Sequence, residues 1–251
     1  LVGLGEERQR DLATAYAGAM AILAAERHRR LTGEGQKIVL PLQDMALAAT
    51  SALGYIGEAV VNDVDRPRYG NEIFGTFGRD FRTRDGRFLM ICIFSDRHVD
   101  ALATAGGFRE AFAEIEKDTG VDLKSDAGRW EARHRLCAVI APWVASGTAE
   151  EIGAALMKAG ALWAPYKTFR ELAADREAVL DNPLFTILDQ PGIGRYPVAA
   201  SPLQFGAAPR QPPRPAPLLG QHTNEILSAI IGLPDHEIAK LHDDKVIGGP
   251  R

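Results

Sequence analysis

The spacing of apolar residues predicts a long helix near the start of the chain. Leu12, Tyr16, Met20 and Leu23 recur every three or four positions within 11–30, an alanine-rich run without proline. A basic last turn followed by glycines is typical of a helix that ends there. The pattern therefore predicts a helix over 11–30, with Asp11 where the helix begins.

The next segments alternate between strand and helix patterns. Residues 37–42 form a short apolar run typical of a strand, and 43–61 are an alanine-rich helical run. Residues 81–83 and 88–94 flank an Arg-Asp-Gly-Arg tetrapeptide, and Asp-Gly is a preferred pair in tight hairpin turns. We therefore predict an α/β chain that contains one clear hairpin.

The second half is predicted from periodicity and capping signals. Thr148 with Glu151, and Thr168 with Glu171, have the spacing of a capping box. The remaining predictions are helices at 95–103, 107–118, 127–145, 148–159, 223–231 and 234–242, a buried extended piece at 161–166, irregular strands at 182–206 and a proline-rich linker at 207–217.

Composition and charge narrow the class of protein. The 251 residues are 46% apolar and 25% charged, which is ordinary for a globular chain of one or two domains. A net charge of −4 argues against a nucleic-acid partner, and the chain lacks an apolar run long enough to cross a membrane. Cys92 and Cys137 lie in apolar runs, which predicts free thiols in a reducing compartment, the cytoplasm.

Two places have candidate chemistry. Asp11 could cap the helix, or it could be a carboxylate nucleophile near unpaired backbone N–H groups. The segment Gly75, Thr76, Phe77, Gly78 could be a plain turn, or its backbone N–H groups could approach a carboxylate or an oxyanion. The six histidines lack metal-ligand spacing, so we predict no metal site. Taken alone, these residues leave both alternatives open.

Several motifs in order resemble the family III CoA-transferases. Residues 11–36 resemble the central segment of that family, in which an aspartate begins a small-residue helix and a Thr-Gly-x-Gly-Gln turn follows. Further similar motifs are Leu42-Gln43-Asp44, Gly70-Asn71, the hairpin at 81–86 and the run at 220–227. The resemblance covers residues 11–247, and dispersed motifs in the right order are more specific than any one of them.

The resemblance implies an activity and roles for particular residues. Stretches at 25–36, 70–81, 163–166 and 189–194 resemble members that move CoA between the C1 and C4 carboxyls of mesaconyl-CoA. Asp11 would then form a mixed anhydride and an aspartyl-CoA thioester with the substrate. The segment Gly75–Gly78 would lie over the intermediates, and Leu42 would line the CoA channel. The acyl-CoA is the substrate, and the resemblance implies no other cofactor.

The family also implies an architecture. Residues 1–62 would be the remaining part of a Rossmann-like large domain, 63–180 a small α+β domain, and 181–251 a return towards the large domain of an interlocked homodimer. The chain begins at Leu1 without the first strands of such a domain, so we expect a piece of a longer protein. Two alternatives stay open: CoA transfer between two different acids, and an inactive fragment that needs an N-terminal half.

Overall fold

The computed structural model describes the backbone of residues 6–249 and the side chains of 10–249. Contacts between residues divide the chain into two compact units, Leu1–Tyr166 and Lys167–Arg251. The domain boundaries predicted after residues 62 and 180 stay predictions.

Three helices open the first unit. They are α1 (Glu6–Thr32), α2 (Leu42–Ala52) and α3 (Tyr55–Asn62). The predicted helix over 11–30 is confirmed, although α1 begins five residues before Asp11. It ends where Gly33 adopts a φ of 82° and its N–H donates to the Arg29 carbonyl. A positive φ is readily available only to glycine, which explains the position of this end.

Two sequence-based predictions in this region are wrong. Residues 34–41 have no regular structure and pair with no described strand, so the strand predicted at 37–42 does not form. A strand obtains its backbone hydrogen bonds from a neighbouring strand, and an apolar run alone cannot supply them. The helix predicted over 43–61 is two helices, because Gly54 has a φ of 82° and interrupts the helical path.

The predicted hairpin is confirmed and belongs to a three-stranded antiparallel sheet. Its strands are β1 (Phe77–Arg82), β2 (Phe88–Ile93) and β3 (Leu162–Pro165), in the order β1-β2-β3. Gly86 in the turn has a φ of 79°, and Thr83 and Arg87 close it with a backbone hydrogen bond. The extended piece at 161–166 is confirmed as β3 but is mostly exposed rather than buried, since it is an edge strand.

Five helices complete the core. They are α4 (Asp96–Gly106), α5 (Arg109–Thr119), α6 (Asp126–Glu131), α7 (Arg133–Ser146) and α8 (Ala149–Ala159). Of these, α5 packs on α4 and α7, and the other four contact the sheet. The predicted helix over 127–145 is therefore two helices. The core joins β2 residues such as Leu89 and Ile91 to Leu136, Ile140 and Leu156 of α7 and α8. Each such side chain contributes about 1.5–3 kcal/mol when fully buried.

The second unit has less regular structure. It contains α9 (Phe169–Ala173), a π-helical turn (Arg176–Leu180), a hairpin of β4 (Phe185–Gln190) with β5 (Gly194–Ala199), α10 (Thr223–Ala229) and α11 (Asp235–Asp243). Residues 209–217 of the linker predicted at 207–217 have no regular structure, in line with the prediction. The buried Gln190 side chain bonds both backbone groups of Ala216 and so ties this run to the hairpin.

Candidate active site

Asp11 lies inside α1 and not at its beginning. The helix starts at Glu6, so the prediction that Asp11 caps it is wrong. The unpaired N–H groups of a helix belong to its first four residues, and Asp11 comes after them. Its side chain is 58% exposed, and Arg10 places Nη2 3.2 Å from Asp11 Oδ1. The local positive charge beside this carboxylate therefore comes from a side chain and not from free backbone donors.

Leu42 is the first residue of α2 and lies partly exposed. It does not end a strand, because residues 34–41 are irregular. The helices α1 and α2 contact each other, so the elements that carry Asp11 and Leu42 are neighbours in the fold. The role of Leu42 in a CoA channel stays a prediction.

The segment Gly75–Gly78 is part turn and part strand. Gly75 has a φ of 87° and lies in a turn, whereas Phe77 and Gly78 already belong to β1. Phe77 is a core residue, and Thr76 is buried between the turn and the strand. A Cβ on Gly78 would lie 2.6 Å from Ile73 Cδ1, so a larger residue there would require the Ile73 side chain to move. Of these four residues, Gly75 and Thr76 are the ones outside regular structure.

The buried side chain that holds Thr76 is Arg129 of α6, which sequence reasoning missed. It is 1% exposed, and its Nε donates to Thr76 Oγ1 over 3.0 Å. Its Nη1 donates to the carbonyls of Leu123 and Lys124, and its Nη2 pairs with Asp126. These partners lie three to 53 positions away, and no local pattern signals that an arginine occupies this place.

A second charged cluster is formed around Glu72, which precedes Gly75 by three positions in the sequence. The Glu72 carboxylate is 3.3 Å from Arg79 Nη1 and 3.4 Å from Arg133 Nε, and it is largely buried. Arg79 also approaches Cys137 Sγ at 3.6 Å. Burial raises the pKa of the Cys137 thiol above its ordinary value, and burial also raises that of Cys92. Both cysteines are free and half-buried, so they fit inert packing residues better than nucleophiles.

An aromatic cluster connects the turn to α3. Phe74, next to Gly75, packs against Tyr69 and Trp130 with ring centroids 5.6 and 5.0 Å away. The Arg66 guanidinium lies 3.7 Å from the centroid of the Phe74 ring and 4.4 Å from that of the Tyr55 ring in α3. It also pairs with Glu58 of the same helix. The structure therefore brings the glycine turn next to α3 through Arg66.

Comparison with known proteins decides the family. The sequence profile of CoA-transferase family III matches residues 8–223. The chain belongs to CoA-transferase family III. The resemblance found in the sequence is thereby confirmed.

Curated relatives in the family are longer than this chain. The chain is 44% identical to the 2-methylfumaryl-CoA isomerase of Chloroflexus aurantiacus over 241 residues, which are 96% of the chain and 59% of that protein. It is 30% identical to the succinyl-CoA:mesaconate CoA-transferase of Haloarcula hispanica, over 86% of the chain and 52% of that protein. It is 25% identical to a formyl-CoA:oxalate CoA-transferase of Rhodopseudomonas palustris, over 96% of the chain and 59% of that protein.

Solved structures agree with the fold. A crystal structure of Rv3272 from M. tuberculosis superposes with a TM-score of 0.57 at 19% identity, over 80% of this chain and 52% of that one. The family III CoA-transferase fold and the mixture of helices and sheets are therefore established. The described sheets are antiparallel. The Rossmann-like large domain and the interlocked dimer stay predictions.

The described part of the chain, within residues 6–249, offers neither a metal-binding cluster nor a membrane-spanning helix. No group of three or more His, Cys, Asp or Glu side chains is arranged to hold a metal ion. No helix there is both long enough and apolar enough to cross a membrane.

Proposed function

We propose that this family III chain is part of an enzyme that moves CoA between the C1 and C4 carboxyls of mesaconyl-CoA. The observation that carries the proposal is its 44% identity, over 96% of the chain, to a 2-methylfumaryl-CoA isomerase. Its identities to two transferases named for exchange between different acids are 30% and 25%. The chain spans about three fifths of the isomerase, so its activity and substrate belong to the proposal.

In this mechanism Asp11 is the nucleophile. Its carboxylate attacks the thioester carbonyl, forming a mixed anhydride and releasing the CoA thiolate. The thiolate attacks the aspartyl carbonyl, which gives an aspartyl-CoA thioester and frees one mesaconate carboxylate. The other carboxylate then attacks the aspartyl-CoA, and the released thiolate takes up the new acyl group and regenerates Asp11. A covalent relay replaces one difficult exchange with easier steps.

The intramolecular form of the reaction has an energetic advantage. Donor and acceptor are the two carboxyl ends of one acid. The mesaconate released when CoA moves to Asp11 is therefore already in place to accept CoA from Asp11. Because the acceptor carboxylate is already held in the site, it reacts at a high effective molarity, and no second acid has to bind from solution. The proposal places the turn at Gly75 over these intermediates, with backbone N–H groups directed at the developing oxyanions.

The exposure of Asp11 supports its assignment as the nucleophile. A nucleophile must be reachable by a bulky thioester, and more than half of this side chain is open. Arg10 is its hydrogen-bond partner, on the adjacent position of α1. The proposed homodimer would add further protein to the exposed apolar side chains of α1 to α3.

The substitution Asp11→Asn tests the role of this carboxylate. We expect turnover of mesaconyl-CoA to fall by a factor on the order of 10³ or more, because the amide cannot form the anhydride. Asp100→Asn, on the exposed side of α4, is the matched control and should keep turnover within about two-fold. Where the 251-residue chain alone is inactive, both variants are measured in the protein extended by its upstream reading frame.

Retention of near-normal turnover by Asp11→Asn would contradict the mechanism. Full activity of the 251-residue chain by itself would refute the alternative that it is an inactive fragment.

A second candidate, transfer between two different acids, is favoured by the relative named succinyl-CoA:mesaconate CoA-transferase. Isotope-labelled mesaconate added during turnover separates the two. Incorporation of the label into the product at the rate of turnover would support the intermolecular reaction, and exclusion of the label would support the isomerase.

A further inference from the structure

We propose that Arg129 is a positioning residue that fixes the Gly75 turn through the hydroxyl of Thr76. The proposal rests on the proposed function, which places this turn beside the acyl intermediates. We call the set formed by Asp126, Arg129, Thr76 and the Ile93 carbonyl the Thr76 anchor.

A nearly inaccessible guanidinium is costly unless its donors are satisfied. Arg129 meets this condition: Nε, Nη1 and Nη2 all have partners on the chain. An arginine spreads five N–H donors over three nitrogens in a rigid plane, whereas a lysine has three donors on a single nitrogen. The buried Arg129 guanidinium therefore holds particular groups in place. Of these partners, Thr76 is the most distant from Arg129 in the sequence.

The Thr76 anchor joins three separate segments at one hydroxyl. Thr76 Oγ1 accepts from Arg129 Nε of α6 and donates to the Ile93 carbonyl at the end of β2, over 2.9 Å. Phe77, the next residue, is fixed in the core. Thr76 is thus held on both sides, and the residue before it is Gly75, whose φ of 87° turns the chain.

This geometry sets the direction of the backbone at the turn. Without the hydroxyl, Thr76 would lose both bonds, and Arg129 Nε would lose its acceptor. The N–H groups near Gly75 would then sample more orientations. A misplacement of about 1 Å in a group that stabilises a transition state can cost on the order of 10²-fold in rate. Such a group acts on the chemical step, so its loss should lower kcat more than it changes KM.

The test compares three threonine variants. Thr76→Val removes the hydroxyl and keeps the shape, whereas Thr76→Ser keeps the hydroxyl. Thr83→Val is the matched control, because Thr83 is also buried and follows β1 at its opposite end, where it bonds within the hairpin. We expect Thr76→Val to lower kcat about ten-fold or more with KM within about two-fold, and Thr76→Ser and Thr83→Val to stay within about three-fold of the wild type.

Hydrogen exchange supplies a readout that needs no activity. In the 251-residue chain, amides of residues 74–78 should exchange at least about ten-fold faster in Thr76→Val than in the wild type, with β2 and α7 unchanged. Thr76→Ser should restore the wild-type pattern. Equal loss of kcat in Thr83→Val, or unchanged exchange at 74–78 in Thr76→Val, would overturn the proposal.

The two proposals fail in different ways. Wild-type protein that turns over no mesaconyl-CoA would refute the proposed function, and the exchange measurement would still decide whether Thr76 anchors the turn. Wild-type turnover with an unchanged kcat in Thr76→Val would refute the positioning role alone.

Discussion

The opening helices and the core region differ in the burial of their apolar residues. In the core region, residues 76–163, α7 and α8 each bury one apolar face, and Leu136, Ile140 and Leu156 on those faces are completely inaccessible. In the opening helices, residues 6–62, no described residue is buried, and Leu12, Met20 and Val61 are between 51 and 82% exposed. Both regions have apolar residues at helical spacing. Periodicity therefore tells which residues share a face, and the rest of the fold decides what covers it.

This difference in burial affects how much stability the helices of each region receive from packing. Helices receive most of their stability from packing of an apolar face, and an isolated one is marginal. In α1 the described local support includes the pairing of Glu26 with Arg29 and Arg30, which is exposed and worth little. An exposed apolar surface of this extent is typical of sites that contact other proteins. The predicted homodimer is one source of such contact.

Removing one leucine from each region tests the comparison most strongly. Leu136→Ala should lower the free energy of unfolding by about 2–5 kcal/mol, because it leaves a cavity in the core. In the 251-residue chain, measured at concentrations where it is a monomer, Leu23→Ala in α1, where the side chain is 71% exposed, should change it by less than about 0.5 kcal/mol. Urea denaturation followed by circular dichroism measures both. A large loss in Leu23→Ala would mean that α1 is covered in solution, and a small loss in Leu136→Ala would contradict the described core.

Helix caps give a smaller effect within the core region. Thr148 and Glu151 form both hydrogen bonds of a capping box at the start of α8, so Thr148→Ala should cost about 1 kcal/mol of unfolding free energy. Ser95 precedes α4 without a side-chain cap bond, and Ser95→Ala is the control, with a smaller expected cost. Equal losses in the two variants would show that the capping bond itself contributes nothing.

Local signals predicted the parts of the fold that depend on neighbouring residues. The Asp85-Gly86 turn and both capping boxes formed because the chemistry for each lies within four positions. The strand at 37–42 failed because its hydrogen bonds need another strand. The start of α1 was placed too late because the Glu, Arg and Gln residues from Glu6 onward are good helix formers despite lacking an apolar stripe.

For the candidate site too, local signals predict only what depends on residues close in the sequence. Local chemistry makes Asp11 and the Gly75 segment candidates, the resemblance to a family implies their roles, and those roles stay proposals. Arg129 could not be found from the sequence, because its contact with Thr76 spans 53 positions. A long-range polar contact of this kind becomes visible only when the sheet and α6 are packed together.

The most direct test of the central claim is chemical capture of the acyl group on Asp11. The protein is incubated with mesaconyl-CoA and quenched with hydroxylamine, which converts an aspartyl anhydride or thioester into a hydroxamate. Peptide mass spectrometry should then find the hydroxamate at Asp11 only when substrate is present, and not in Asp11→Asn. Turnover by the wild-type protein without any mass change at Asp11 would contradict the covalent mechanism.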